Sequence, residues 1–165
     1  MSVKIYFDMD NTLFDLYNKE NWLTMLENGR PGTFKEYGEN GGLMQGLESE
    51  ECDIYKQIAY LQSQGVSFGI ISWLPFAASP EYEKICREEK LEWLKTYFPM
   101  ITEIHIIPYG VEKQKAITKR AETMYLIDDN AEVCNAWTTA KQRKAFQVSE
   151  NFTALNALNQ IIKEM

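Results

Sequence analysis

Two carboxylates and a hydroxyl recur at every second position near the start of the chain, as Asp8, Asp10 and Thr12. They follow Lys4–Phe7, a mostly apolar run that predicts a buried strand. Open α/β sheets bind ligands at the carboxyl ends of their strands. If the strand continues, residues two apart face the same way, so both carboxylates would lie together. Because like charges repel, a divalent cation, a shared proton or both must hold them there.

Further polar side chains stand where later predicted strands end. These are Ser72 after Val66–Ile71, Lys113 and Lys115 in the loop after Ile104–Ile107, and Asp128 with Asp129 after Met124–Ile127. The strands of a parallel sheet all point the same way, so their ends share one edge. We therefore expect four acids, two hydroxyls and a lysine around one crevice.

This set of groups suits phosphoryl transfer. Carboxylate oxygens select Mg²⁺ over softer metals. A lysine and hydroxyl donors can hold the phosphoryl oxygens as charge builds in the transition state. A carboxylate nucleophile would form an acyl-phosphate, which divides one difficult displacement into two easier ones.

The elements between these residues predict an α/β fold. Helices are predicted at Glu50–Gln64, Pro80–Tyr97, Glu112–Glu122, Ala131–Ala140 and Phe152–Lys163, with a last strand at Lys144–Val148. Strands that alternate with helices and are apolar throughout indicate a three-layer, Rossmann-like parallel sheet covered on both faces. Trp93, Phe98 and Trp137 are predicted core residues, and Glu88, Glu89 and Lys90 are predicted to form a solvated helix face.

One segment does not fit the alternation. Six of the nine glycines lie between Gly29 and Gly46, where they mark turns. We interpret residues 15–48 as a small helical cap inserted after the first strand, and residues 1–14 and 49–165 as the α/β core. The cap contains Tyr17, Trp22, Phe34 and Tyr37, and the sequence leaves open whether these rings contact substrate or pack within the cap.

The ordered motifs resemble the phosphatase branch of the haloacid dehalogenase superfamily. The resemblance covers residues 4–130 and consists of D-x-D-x-T, a serine at a strand end, a lysine in Tyr-Gly-x-x-Lys and a late acidic pair. It implies that Asp8 is the nucleophile and a metal ligand, and that Asp10 is the general acid and base, with its backbone carbonyl on Mg²⁺. Thr12 would stabilise the first loop.

The resemblance also implies roles at the later motifs. Ser72 and Lys113 would hold the phosphoryl group, with Lys115 as the alternative lysine. Asp129 is favoured as the direct metal ligand and Asp128 as its support. Trp73 would line the pocket wall, and the substrate-binding set becomes Thr12, Ser72, Trp73 and Lys113. Asn11 stands where this branch often has glycine, which asparagine can replace because it tolerates left-handed backbone angles.

The expected function is Mg²⁺-dependent hydrolysis of a small phosphorylated metabolite, through an aspartyl-phosphate on Asp8. The short chain with its late Asp-Asp pair resembles deoxyribonucleotidases, so a nucleotide is one candidate substrate. A receiver domain has its acidic pair early, and a dehalogenase usually lacks the second acid, here Asp10. A phosphotransferase and a non-catalytic ligand-binding protein of this fold stay as alternatives.

Net charge, cysteine content and hydropathy indicate the partners and the compartment of the protein. The formal net charge of −7 argues against binding to a nucleic acid polymer or an anionic membrane. Three scattered cysteines indicate separate reduced thiols, and with no predicted membrane span or secretory signal we expect a cytoplasmic protein. The only histidine, His105, is predicted to be structural at a strand, and the sequence does not indicate an oligomeric state.

Overall fold

The computed structural model describes residues 2–16, 42–48 and 53–165. Its elements are β1 (Val3–Phe7), α1 (Ile54–Ser63), β2 (Ser67–Trp73), α2 (Pro80–Tyr97), β3 (Glu103–Ile107), a 3₁₀ helix (Lys113–Ala116), β4 (Thr123–Asp128), α3 (Ala131–Trp137), β5 (Arg143–Gln147) and α4 (Ala154–Glu164). Most predicted elements are confirmed to within a few residues. The aromatic residues of the predicted cap lie outside the described residues.

The five strands form one parallel sheet in the order β3-β2-β1-β4-β5. β1 lies in the middle of the sheet, with β2 and then β3 on one side of it and β4 and then β5 on the other. The strand order therefore reverses between β1 and β4. In open α/β sheets a crevice for ligands opens outside the carboxyl ends of the strands at such a reversal. The predicted parallel sheet is thus confirmed, and its topology singles out the ends of β1 and β4.

Helices cover both faces of the sheet. On one face, side chains from α1, α2 and α4 pack in a single cluster that joins Phe7 of the sheet to Leu94 and Leu158. On the other face, Tyr6 packs against Trp137 of α3. This arrangement confirms the three layers predicted from the sequence. The aromatic residues predicted for the core, Trp93, Phe98 and Trp137, are buried.

The helix predicted at Glu112–Glu122 is wrong. Only Lys113–Ala116 is helical, as one turn of 3₁₀ helix, and Glu112 makes no side-chain capping bond. The apolar residues of this stretch are one isoleucine and two alanines, so a helix there would bury too little apolar surface to be fixed by packing. The segment instead crosses the sheet as a loop, with Ile117 against the second core cluster.

A polar network lies on the same face of the sheet as α3. Glu103 of the edge strand β3 accepts a hydrogen bond from Tyr6 Oη at 2.8 Å, lies 3.1 Å from His105 Nε2 and pairs with Lys4. Tyr6 reaches Glu103 across β2 because Gly69, which lies between them in register, has no side chain. His105 therefore has a structural partner on an edge strand, as predicted.

Two further sequence expectations concern the cysteines and the membrane. Cys86 and Cys134 are free, buried thiols, whereas Cys52 lies outside the described residues. Among the helices that the structure describes, none combines the length and the apolar composition that a membrane span requires.

We predict that Gly69→Ala destabilises the fold. A Cβ atom there would lie 2.6 Å from Cε1 of Tyr6. The Tyr6 ring is fully buried and bonded to Glu103, so it cannot move aside. We expect the free energy of unfolding, measured with urea, to fall by about 1–3 kcal/mol. Gly42→Ala is the matched control, because nothing lies within 4 Å of its added Cβ. Equal effects of the two changes would contradict this account of Gly69.

Candidate active site

The loop that follows β1 is hydrogen-bonded to β4 at its first residue, Asp8. The Asp8 amide donates to the carbonyl of Ile127 at 2.9 Å, so the pairing of β1 with β4 extends one residue beyond Phe7. The chain then folds back, and the amide of Phe14 donates to the carbonyl of Met9 at 2.9 Å. Because the strand does not continue to Asp10, the common side expected for two residues on one strand does not apply.

Asn11 provides the left-handed turn in this loop. Its φ of 56° lies in the region that asparagine tolerates better than most residues. Its amide donates to the carbonyl of Phe14 at 2.6 Å, and its side-chain oxygen accepts from the amide of Leu16 at 3.1 Å. Phe14, which follows this turn, also forms an isolated antiparallel bridge with Leu43.

Lys113 joins the acids that follow β1 and β4. Its Nζ lies 2.5 Å from Oδ1 of Asp8 and 2.6 Å from Oδ2 of Asp128, and all three side chains are buried. Lys115 is exposed instead and pairs with Glu112 at 3.2 Å. The structure thus decides between the two lysines that the sequence left open, because only Lys113 reaches the acids.

Asp128 is the last residue of β4, and Asp129 follows it at the reversal of strand order. The Asp128 carboxylate uses one oxygen for Lys113 and the other to accept from the amide of Asn130 at 2.9 Å. Asn130, rather than Asp128, caps α3 by accepting from two amides of its first turn. Asp8, Asp128 and Asp129 each offer a carboxylate oxygen, and these three atoms lie within 4.8 Å of one another.

The acids and the lysine of the site are buried and close together, and both conditions shift their pKa values. Burial raises the pKa of Asp129 to about 6, and the charge of Asp128 adds to the rise. Burial also raises the pKa of Asp8 despite the nearby Lys113. Although burial alone lowers it, the charges of Asp8 and Asp128 raise the pKa of Lys113, so this lysine stays an ammonium.

The donors present fit a hard divalent cation. Three carboxylates converge, those of Asp8, Asp128 and Asp129. Together with the ammonium of Lys113 they carry a formal charge of −2, which a cation such as Mg²⁺ would balance. The nearby Cys134 is a poor metal ligand, because a thiol binds metals as the thiolate and burial raises the pKa of this thiol to about 12.

The site contains a second lysine that the sequence analysis assigned to a solvated face. Lys90 of α2 is only 3% exposed, and its Nζ lies 2.6 Å from Oδ2 of Asp10, 2.9 Å from Oγ of Ser72 and 2.9 Å from the carbonyl of Trp73. The predicted solvated face is therefore wrong for Lys90, whereas Glu88 is exposed. The missed signal was position: residues 86, 90, 93 and 94 form the buried stripe of α2, and charge alone had grouped Lys90 with its acidic neighbours.

Ser72 and Trp73 end β2 beside this lysine. Ser72 is fully buried, and because its Oγ accepts from Lys90, its own hydroxyl hydrogen remains to be donated elsewhere. The Trp73 ring lies 5.4 Å from Nζ of Lys113, at the distance of a cation–π contact. Thr12 is fully buried in the first loop, and its hydroxyl has no hydrogen-bond partner within the described part of the chain.

The structure thus brings together seven of the eight side chains that the sequence analysis selected: Asp8, Asp10, Ser72, Trp73, Lys113, Asp128 and Asp129. They are linked by direct contacts with Lys113 or Lys90, or by the convergence of carboxylate oxygens. Thr12 lies in the same loop as Asp8 and Asp10, but its buried hydroxyl has no hydrogen-bond partner among the residues that the structure describes. No protein-family model matches the chain, and a search of curated proteins returns no match. A function is therefore argued from this geometry.

We predict that Lys90→Met destabilises the fold, because it leaves the Asp10 carboxylate and the carbonyl of Trp73 without their buried donor. We expect the free energy of unfolding to fall by about 1–3 kcal/mol, since Asp10 keeps partial access to water. Lys84→Met on the same helix is the matched control, because Lys84 is exposed and lies 4.0 Å from Glu88. If the two variants unfold at the same urea concentration, Lys90 does not stabilise this site.

Proposed function

We propose that this protein is a Mg²⁺-dependent phosphomonoesterase of the haloacid dehalogenase type, which hydrolyses a small phosphorylated metabolite through an aspartyl-phosphate on Asp8. A nucleotide is one candidate substrate. The observation that carries the proposal is the convergence of a buried carboxylate after β1, an acidic pair after β4 and a buried lysine between them. These groups lie at the reversal of strand order, where sheets of this kind bind ligands.

The arrangement favours a covalent mechanism over simple binding. Asp8, like Asp128, contacts Lys113 and belongs to the carboxylate cluster, so a phosphoryl group on Asp8 would meet both the ammonium of Lys113 and a cation held by the cluster. A carboxylate oxygen of Asp8 attacks phosphorus, and the bond from phosphorus to the leaving oxygen breaks. Lys113 holds the phosphoryl oxygens, and the free hydroxyl hydrogen of Ser72 donates to them.

Asp10 supplies the proton chemistry. Its Oδ2 is held by Lys90, and we assign the proton transfer to the leaving group to Oδ1, which has no hydrogen-bond partner among the described residues. Asp10 then takes a proton from water, whose oxygen attacks phosphorus, and inorganic phosphate leaves as the Asp8 carboxylate re-forms. Mg²⁺ bound by Asp8, Asp129 and the carbonyl of Asp10, with Asp128 in support, would offset the charge of the phosphate dianion.

The topology supports this reading over a phosphorylated receiver domain. The observed strand order is the Rossmann-type 3-2-1-4-5, whereas receiver domains have the flavodoxin-type order 2-1-3-4-5. The acidic pair also comes after β4 rather than near the start of the chain. Fold and motif order thus favour the same class of phosphatase.

We predict that wild-type protein with Mg²⁺ hydrolyses p-nitrophenyl phosphate, and that Asp8→Asn lowers kcat by at least about a thousandfold because it removes the nucleophile. EDTA should abolish turnover, and added Mg²⁺ should restore it. Circular dichroism checks that the variant is folded. Normal turnover by Asp8→Asn would contradict the assignment of the nucleophile.

Two lysine variants provide a matched comparison in the same assay. Lys113→Met should lose most activity, whereas Lys115→Met should keep it, because only Lys113 contacts Asp8. A broad panel of phosphate monoesters, nucleotides included, then defines the substrate. If no ester in that panel is hydrolysed above background with Mg²⁺, the non-catalytic alternative replaces the proposal.

A further inference from the structure

Three aromatic side chains form an exposed surface at the edge of the sheet that carries the candidate active site. We call Trp73, Phe76 and Tyr109 the aromatic shelf. The ring centroids of Trp73 and Tyr109 are 5.0 Å apart, and those of Tyr109 and Phe76 are 5.2 Å apart. Phe76 is 76% exposed and Tyr109 is 53% exposed. Large apolar side chains grouped in this way on a surface usually mark a binding site.

The shelf begins at the catalytic groups. Trp73 is the last residue of β2, and its ring lies 5.4 Å from Nζ of Lys113, which in turn lies 2.5 Å from Asp8. Phe76 and Tyr109 follow β2 and β3, so they lie beyond the same ends of the sheet as the acids. A group attached to a phosphate bound at Asp8 and Lys113 would therefore lie within reach of these rings.

The backbone around the shelf is held in place. Trp73 Nε1 donates to the carbonyl of Val111 at 2.7 Å, which fixes the loop after β3 against β2. Ala77 has a φ of 51°, in the left-handed region that residues with a Cβ rarely adopt. This strained turn follows Phe76 directly. Strain of this kind persists where surrounding structure enforces it, and it is common at ligand sites.

We infer that the aromatic shelf binds a flat aromatic ring in the leaving group of the phosphate ester, with Phe76 and Tyr109 determining specificity. The inference rests on the proposed phosphatase activity. Exposed aromatic faces bind planar rings favourably by stacking. The ring is a nucleobase or another aryl group, and the substrates below separate these two sources.

Two pairs of esters test for the ring while keeping the leaving oxygen similar. Benzyl phosphate and ethyl phosphate both release a primary alcohol, and only the first carries a ring. Adenosine 5′-monophosphate and ribose 5-phosphate differ by the base. For each pair, the ratio of the two kcat/KM values removes effects common to both esters. We expect wild-type protein to favour the ring-bearing ester of at least one pair, and the favoured pair identifies the source.

Variants of the shelf then locate the preference. Phe76→Ala and Tyr109→Ala should each lower the favoured ratio about tenfold, as expected for the loss of one stacking contact. Phe76→Tyr keeps a ring and should retain the ratio. Tyr60→Ala is the matched control, because Tyr60 is an aromatic residue of α1 that is 50% exposed.

The outcomes separate this inference from the proposed function. Turnover with equal kcat/KM values within both pairs, or with ratios that Phe76→Ala and Tyr109→Ala leave unchanged, would overturn the aromatic shelf as a ring site and leave the phosphatase proposal intact. Absence of turnover with every ester would overturn both. An equal drop of the ratio in Tyr60→Ala would also overturn the shelf, since the effect would not be local.

Discussion

The ion-paired ammonium of Lys113 is the contact on which the rest of the site depends. It lies between the carboxylates of Asp8 and Asp128, so one side chain ties together the end of β1, the end of β4 and the loop that follows β3. Buried carboxylates are costly without a partner, and removing one member of such a group leaves the others uncompensated. Lys113 therefore lets the sheet gather acids at the reversal of strand order without forcing them apart.

A second constraint is that the two lysines balance only part of the negative charge of the site. Lys113 and Lys90 together face Asp8, Asp10, Asp128 and Asp129, which formally leaves more negative than positive charge. Burial raises the pKa of Asp129, and the charge of Asp128 adds to the rise. The surplus of acid fits the proposed site for a divalent cation and an anionic substrate. The two lysines contact different parts of the site. Lys113 pairs with Asp8 and Asp128, and Lys90 donates to Asp10 and Ser72.

The parallel sheet and most of the candidate site could be predicted from the sequence, because strand ends in a parallel sheet share one edge whatever the details of packing. The Tyr-Gly-x-x-Lys spacing favoured Lys113 but left Lys115 open, since both lie in one short segment that was expected to be a helix. The helix predicted at Glu112–Glu122 does not form because the segment has too few apolar side chains to be held by packing. Lys90 was missed because neighbouring charges suggested solvent, whereas its place in the apolar stripe of α2 indicated burial.

The most direct test of the account is to trap the covalent intermediate. Wild-type protein turning over p-nitrophenyl phosphate with Mg²⁺ would be quenched in acid and reduced with borohydride, which converts an aspartyl-phosphate to homoserine. Peptide mass mapping then locates the modified residue. The account predicts homoserine at position 8 and at no other aspartate. Modification elsewhere, or rapid turnover without modification at Asp8, would contradict it.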